Sequence, residues 1–257
     1  MSDVSWKAVK DVPTPQDCLA RELGGCPALS SIFQSSLDER LLNQAPRSYE
    51  ADRIIYSLGD KADSIFYLRD GFVKITALSE DGKEIILNVH KQGEVFGETC
   101  LCSGERGEMA VAMESTEVVE IKIDDLITRL QESRDAMYGF LVAFCQRLGR
   151  AYQTICEFSF DNVSERLAKV LLRLANDLGR ETEAGTELTH YITQEELAQM
   201  VSARREVVST VLGGLRERGL IDYTRKGKLT INRPALTSYL EGGEETSVAE
   251  KLHAPSD

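Results

Sequence analysis

Three rhythms of apolar and polar residues divide the chain. From Ser48 to Ile123 short apolar runs recur with period two: Ile54–Tyr56, Ile65–Leu68, Phe72–Thr76, Ile85–Val89 and Glu117–Ile123. Alternation of this kind predicts strands with one face turned to a core. Gly59-Asp60, Asp70-Gly71 and Asp81-Gly82 fall where turns belong, and Asp-Gly suits the left-handed conformations of tight hairpins. Many short strands at this spacing predict a small antiparallel barrel or roll. Glu117–Ile123 supplies its closing strand, and Asp124-Asp125 open a helical stretch.

Between Ser133 and Phe160 the rhythm changes. Met137, Leu141, Phe144, Leu148, Ala151, Ile155 and Phe158 stand alternately four and three apart. On a helix they form one narrow stripe, the a/d seam of a coiled coil. Gln146, Arg147, Arg150 and Gln153 between them give the helix a solvated back, Gly139 and Gly149 lie off the seam, and no proline interrupts it. A helix packed on its own domain can share this spacing. The position between two segments of different character favours a dimer helix joining a sensor to a reader.

After the seam the pattern is helical. Asn162–Asp177 is amphipathic, with Leu167, Val170, Leu171 and Leu174 on one face, and residues 179–187 read as a polar connection. Thr193-Gln194-Glu195-Glu196 is a capping box, in which the threonine and Glu196 satisfy the first free amides of a helix. That helix ends near Val201-Ser202-Ala203, and a second runs from Arg204 or Arg205 to about Arg218. With Leu197, Ala198, Val201, Val208, Val211 and Leu212 at the apolar positions, the pair predicts a helix-turn-helix. Residues 220–223 and 229–231 follow as a two-stranded wing with a basic tip. The expected class is α+β: a flexible arm over 1–25, a sensor roll over 26–132 with a short helical segment near Leu37–Leu42, a dimerisation helix over 133–160, a winged helix-turn-helix over 161–240 and a disordered tail over 241–257.

Composition narrows the function. At 257 residues the chain holds two modest domains, no apolar run is long enough to span a membrane, and the N-terminus lacks a signal-peptide apolar region. A cytoplasmic protein with no membrane partner is expected. The net charge of −12 argues against a general polyanion binder. Within 204–228, however, Arg204, Arg205, Arg216, Arg218, Arg225, Lys226 and Lys228 face only Glu206, Glu217 and Asp222. That local excess suits a phosphate backbone. Six cysteines in a cytosolic chain point to metal binding, redox sensing or burial rather than a disulfide framework. No nucleophile–base arrangement, P-loop or metal-hydrolase motif appears, so an enzyme is not expected.

The order of roll, long helix and winged helix-turn-helix resembles the Crp/Fnr family of bacterial transcription regulators over about residues 26–235. The matching segments are Cys26-Pro27, Gly93–Glu98, Asn162–Ala168, Ile192–Ala198 and, most specifically, Arg204–Leu212. The resemblance implies a homodimer that engages RNA polymerase and places two recognition helices in successive major grooves of a near-palindromic double-stranded operator. It puts Arg205 and Glu206 on base-reading positions, with Ser209 one turn later, and Arg204, Lys226 and Lys228 on phosphates. Thr210 departs from the family, many of whose members carry a second arginine there.

The same resemblance frames the effector. Cyclic-AMP-binding members use a glutamate for the ribose, an arginine followed by a hydroxyl residue for the phosphate, and polar residues on the dimer helix for the base. Glu98 and Arg106 fit the first two places, either as ligand groups or as an internal ion pair. Gly107 stands where the hydroxyl belongs, Glu108 adds a negative charge, and Ala151 and Tyr152 replace the hydroxyl pair, which disfavours a cyclic nucleotide. Fnr-type members hold an iron–sulfur cluster. Here Cys18 and Cys26 are too widely spaced for that pattern and Val119 lies where the strand cysteine would be. Cys100 and Cys102 would complete a four-thiolate set for an iron–sulfur cluster or structural zinc. Cys145 and Cys156 flank the seam as small buried hydrophobes. Gly97 and Thr99 occupy the haem-ligand positions of carbon-monoxide sensors, and His90, His190 and His253 lack ligand spacing. The expected signal is redox or gas. A cyclic-nucleotide-responsive regulator, or a nucleotide-binding module acting through protein contacts, is the alternative.

Overall fold

A computed structural model describes residues 44–101, 104–224 and 227–242. The expected arm, the short helical segment near Leu37, Cys18, Cys26, Cys102, Lys226 and the tail beyond 242 lie outside these, as does the side chain of Cys100.

The N-terminal half is a roll of two four-stranded antiparallel sheets, ordered β1-β8-β3-β6 and β2-β7-β4-β5. The strands are β1 Arg47–Tyr49, β2 Ile54–Tyr56, β3 Ser64–Asp70, β4 Phe72–Leu78, β5 Glu84–Lys91, β6 Val95–Phe96, β7 Met109–Ala112 and β8 Thr116–Lys122. The unbroken apolar run in β3 has a structural cause. Successive strand side chains point to opposite faces, and β3 is covered on both. Ile65 and Tyr67 pack with Val119, Ile121 and Leu126 on the outer face, while Phe66 and Leu68 pack with Val73, Phe96 and Val118 inside the roll. Gly71 turns the chain from β3 to β4 at φ 88°, where a Cβ would lie 2.6 Å from Thr116 Oγ1; only glycine satisfies both demands.

Helix α1 (Ile123–Glu132) leads to α2 (Arg134–Phe160), whose 27 residues span roughly 40 Å. Ser133 accepts a hydrogen bond from the Ala136 amide and starts α2. All seven seam positions are exposed, Leu141 at 54%, Leu148 at 50% and Ile155 at 59%. Two expectations are corrected. Arg147 is not part of a solvated back, because its guanidinium reaches Glu98 and the Val95 carbonyl in the roll. Cys145 and Cys156 are exposed rather than buried, since they sit beside an uncovered stripe.

Helix α3 (Val163–Leu178) begins with its own capping box, Asn162 with Glu165, and buries Leu167, Leu171 and Leu174. Next come β9 (Gly179–Thr182), β10 (Gly185–Leu188), α4 (Gln194–Val201), α5 (Arg205–Glu217), β11 (Ile221–Tyr223), β12 (Leu229–Ile231) and α6 (Arg233–Glu241). The polar connection expected over 179–187 is thus a hairpin. It joins the wing in one sheet, ordered β11-β12-β10-β9, because Thr186 and Leu188 alternate inward and Thr186 pairs with Ile231. No described helix is long and apolar enough to cross a membrane.

The two halves touch along β4, β5 and α4. Phe72 and Val89 pack on the C-terminal core. Lys74 Nζ lies 3.2 Å from Glu196 Oε1, Gln199 donates to Glu84 at 2.9 Å, and Lys91 donates to the Asp177 carbonyl at 3.0 Å. His190 stacks at a tilt on Phe72 and sits 3.0 Å from Glu114.

Candidate DNA interface and effector pocket

The reader is built from its caps upward. Thr193 Oγ1 accepts the Glu196 amide at 3.1 Å while Glu196 Oε2 accepts the Thr193 amide at 3.0 Å, so α4 starts where the sequence places it. Ser202 closes α4 in the left-handed region at φ 48°, its amide bonded to the Ala198 carbonyl. Arg204 then opens α5. Val208, Leu212 and Leu215 anchor that helix in the core, which leaves Arg204, Arg205, Glu206, Val207, Ser209 and Thr210 exposed at its N-terminal end. The predicted base-reading residues therefore share one surface. Free amides at a helix N-terminus also favour phosphate.

Among the described residues, the rest of the basic set is dispersed. Arg216 pairs with Asp222 at 3.1 Å, Arg218 lies 5.6 Å from the Tyr239 ring, and Lys228 Nζ donates to the Thr189 carbonyl at 2.8 Å. The Lys228 contact ties the wing to the segment entering α4. Arg204 and Arg205 carry the local positive charge next to the exposed helix end.

In the roll, the two predicted effector residues are engaged by protein. Glu98 forms an ion pair with Arg147 of α2. Burial pushes the Glu98 carboxyl up, but the charge and hydrogen bond of Arg147 outweigh it and hold the group below its ordinary value. Arg106 is only 3% exposed, donates to the Gly97 carbonyl at 2.7 Å and the Ser64 carbonyl at 2.6 Å, and lies 4.2 Å from the Tyr56 ring centroid. Gly97 makes this approach feasible, since a Cβ there would stand 2.7 Å from the Arg106 guanidinium. Glu108 accepts from Thr99 Oγ1 at 2.6 Å and from Tyr56 OH at 3.2 Å. Burial, and then the Glu108 carboxylate, drive the Tyr56 hydroxyl far above its ordinary pKa. Nearby, buried His90 bonds Glu94 at 2.9 Å.

Arg147, Tyr56 and Thr99 were not expected in this site. Arg147 reads as one more polar residue behind the seam, and no local spacing links it to Glu98, 49 positions earlier in the chain. Among the described residues no group of three or more His, Cys, Asp or Glu could hold a metal ion. Of the four proposed thiolate ligands, Cys18, Cys26 and Cys102 fall outside the described residues, as does the Cys100 side chain.

Residues 46–133 match the cyclic nucleotide-binding domain and residues 165–239 the Crp-like helix-turn-helix domain. The cAMP-activated global transcriptional regulator CRP of Pasteurella multocida is 31% identical over 180 residues, covering 67% of this chain and 83% of that protein. The chain belongs to the Crp/Fnr family. The global nitrogen regulator of Synechocystis is 26% identical over 213 residues, 82% of this chain and 94% of that protein. A solved Crp/Fnr-family regulator from Thermus thermophilus superposes with a TM-score of 0.61 at 26% identity, covering 77% of this chain and 98% of its own. This Crp/Fnr member is a DNA-binding transcription regulator, and the roll, long helix and winged helix-turn-helix are the architecture of its relatives.

Proposed function

We propose that this Crp/Fnr regulator works as a homodimer paired along α2, with the two α5 helices reading a near-palindromic operator one DNA turn apart. In this reading residues 26–132 sense, 133–160 pair and 161–240 read. The observation that carries it is the open apolar stripe of α2. Met137, Leu141, Phe144, Leu148, Ile155 and Phe158 are large apolar side chains left exposed on one helix, and exposed apolar surface of this extent calls for a partner. A second copy presents the same stripe. Arg205, Glu206, Ser209 and Thr210 then face the base edges, Arg204 and Lys228 with Lys226 the phosphates, and RNA polymerase is the further partner in the cytoplasm.

The signal is redox or gas, received through Cys18, Cys26, Cys100 and Cys102 as thiols or as ligands of an iron–sulfur cluster. What supports this over a cyclic nucleotide is the state of the cassette. Arg106 donates to the Gly97 and Ser64 carbonyls, Glu98 is held by Arg147, Gly107 offers no hydroxyl, and Glu108 adds a carboxylate two residues from Arg106. This arrangement disfavours a cyclic nucleotide, which is the alternative signal.

Two measurements test the proposal. Enrichment of one near-palindromic sequence from genomic fragments supports operator reading; uniform capture of all fragments overturns it. An ultraviolet-visible spectrum of protein purified without oxygen, with iron, sulfide and zinc assayed, tests the signal. Broad visible absorption with matched iron and sulfide supports a cluster, whereas a colourless, metal-free protein insensitive to thiol oxidants overturns cysteine sensing.

A further inference from the structure

The exposed end of α5 carries two side chains whose free groups are methyls. Val207 is 41% exposed, although the buried face of the same helix is made by Val208, Leu212 and Leu215. A β-branched residue has less helix propensity than alanine or a straight-chain residue, and this one gains little packing within the chain. Thr210 lies three residues on, so the two side chains are neighbours on the helix surface. The Thr210 hydroxyl donates to the Glu206 carbonyl at 3.0 Å. That bond turns the polar group back onto its own helix and leaves the γ-methyl for any surface that approaches. The result is a small apolar patch next to Glu206, in a neighbourhood otherwise made of Arg204, Arg205 and Ser209.

A patch of this size among charged residues suits a partner with one apolar group set in a polar, phosphate-rich surface. In the major groove that group is the 5-methyl of thymine, which neither guanine, adenine nor cytosine offers. We propose that Val207 and Thr210 together read a thymine methyl in each operator half-site. This inference rests on α5 being the recognition helix. It assigns an A·T pair to the position that Thr210 covers, where an arginine would instead select guanine.

The test uses the full chain and the sequence it enriches from a random DNA pool. Each half-site thymine is replaced in turn by deoxyuridine, which removes the methyl and keeps every hydrogen-bonding group. One position per half-site should weaken binding about fourfold, the value of burying one methyl-sized group, and about fifteenfold when both half-sites are changed. The double variant Val207→Ala/Thr210→Ser should bind the thymine and deoxyuridine operators equally, with a melting temperature no lower, because both positions are exposed and alanine favours the helix. Indifference of the unmodified protein to every replacement overturns the proposal. So does a variant that keeps the full thymine preference. Failure to enrich any sequence would overturn the reading of α5 itself, a result distinguishable from both.

Discussion

Replacing Leu148 with aspartate should convert the dimer to monomers without unfolding the protomer. Leu148 is half exposed in the single chain. Full burial of such a side chain contributes roughly 1.5–3 kcal/mol, so covering its exposed half adds about 1 kcal/mol per protomer and about 2 kcal/mol per dimer. Losing that alone weakens association about thirtyfold, and Leu148→Ala should show a loss of about that size. Aspartate also brings two carboxylates together in an apolar seam, and desolvating unpaired charges costs several kcal/mol more. The total loss should exceed about a thousandfold. Light scattering on gel-filtered protein at micromolar concentration reads the mass directly, and circular dichroism checks that the helices persist. A dimer mass for Leu148→Asp, or a monomer mass for the unmodified chain, would refute the argument that the α2 stripe is a seam.

Further consequences concern the reader, the joint and the roll. Arg205→Ala should reduce discrimination at one base pair per half-site by about 1–3 kcal/mol; equal weakening on every DNA sequence in a binding titration would contradict its role. Glu157 is buried and receives two hydrogen bonds from Arg173, at 2.6 and 2.9 Å. Arg173→Ala should therefore cost about 3 kcal/mol in denaturant unfolding, because a buried carboxylate is left alone, and Glu157→Leu in the same background should restore most of it. At Glu94 burial raises the carboxyl, but the hydrogen bond from His90 and nearby positive charge outweigh it and leave the group lowered, as Arg147 does at Glu98. A carboxyl lowered on folding stabilises above its unfolded pKa of roughly 4.3, and that contribution is lost as pH falls through the folded value. Thermal melts should accordingly be flat near neutrality on this account and decline below about pH 4.5. Glu98→Gln should remove part of that acid-side decline, and an unaltered slope would show that the Arg147 pair does not contribute.

Much of what residues specify locally was legible. The 4-3 spacing from Met137 to Phe158 marked α2, the Thr193–Glu196 pattern marked the start of α4, and Asp70-Gly71 marked a hairpin. Elements held by distant partners were harder to see. Strands β9 and β10 are short and rich in glutamate, and what makes them strands is the pairing of β10 with β12, more than 40 residues away. Helix α6 left a local trace that went unread: Asn232 caps it by accepting the Ala235 amide, and Pro234 sits in its first turn. In the roll, the motif singles out Glu98 and Arg106 but not their partners: Glu98 pairs with Arg147 of α2 rather than with Arg106, which donates to backbone carbonyls. A motif records side-chain identity, and the two carbonyls that accept from Arg106 are peptide oxygens that any sequence would supply.

Glu196 uses its two carboxylate oxygens differently. Oε2 serves its own helix through the Thr193 amide and hydroxyl, whereas Oε1 faces Lys74 of the roll. This part of the fastening between the two halves is therefore separate from the one that starts α4. Withdrawing the lysine leaves α4 as well tied at its start as before. Losing that ion pair therefore spares the start of α4, and what would still hold the halves is the Phe72 and Val89 packing with the Gln199–Glu84 and Lys91–Asp177 bonds.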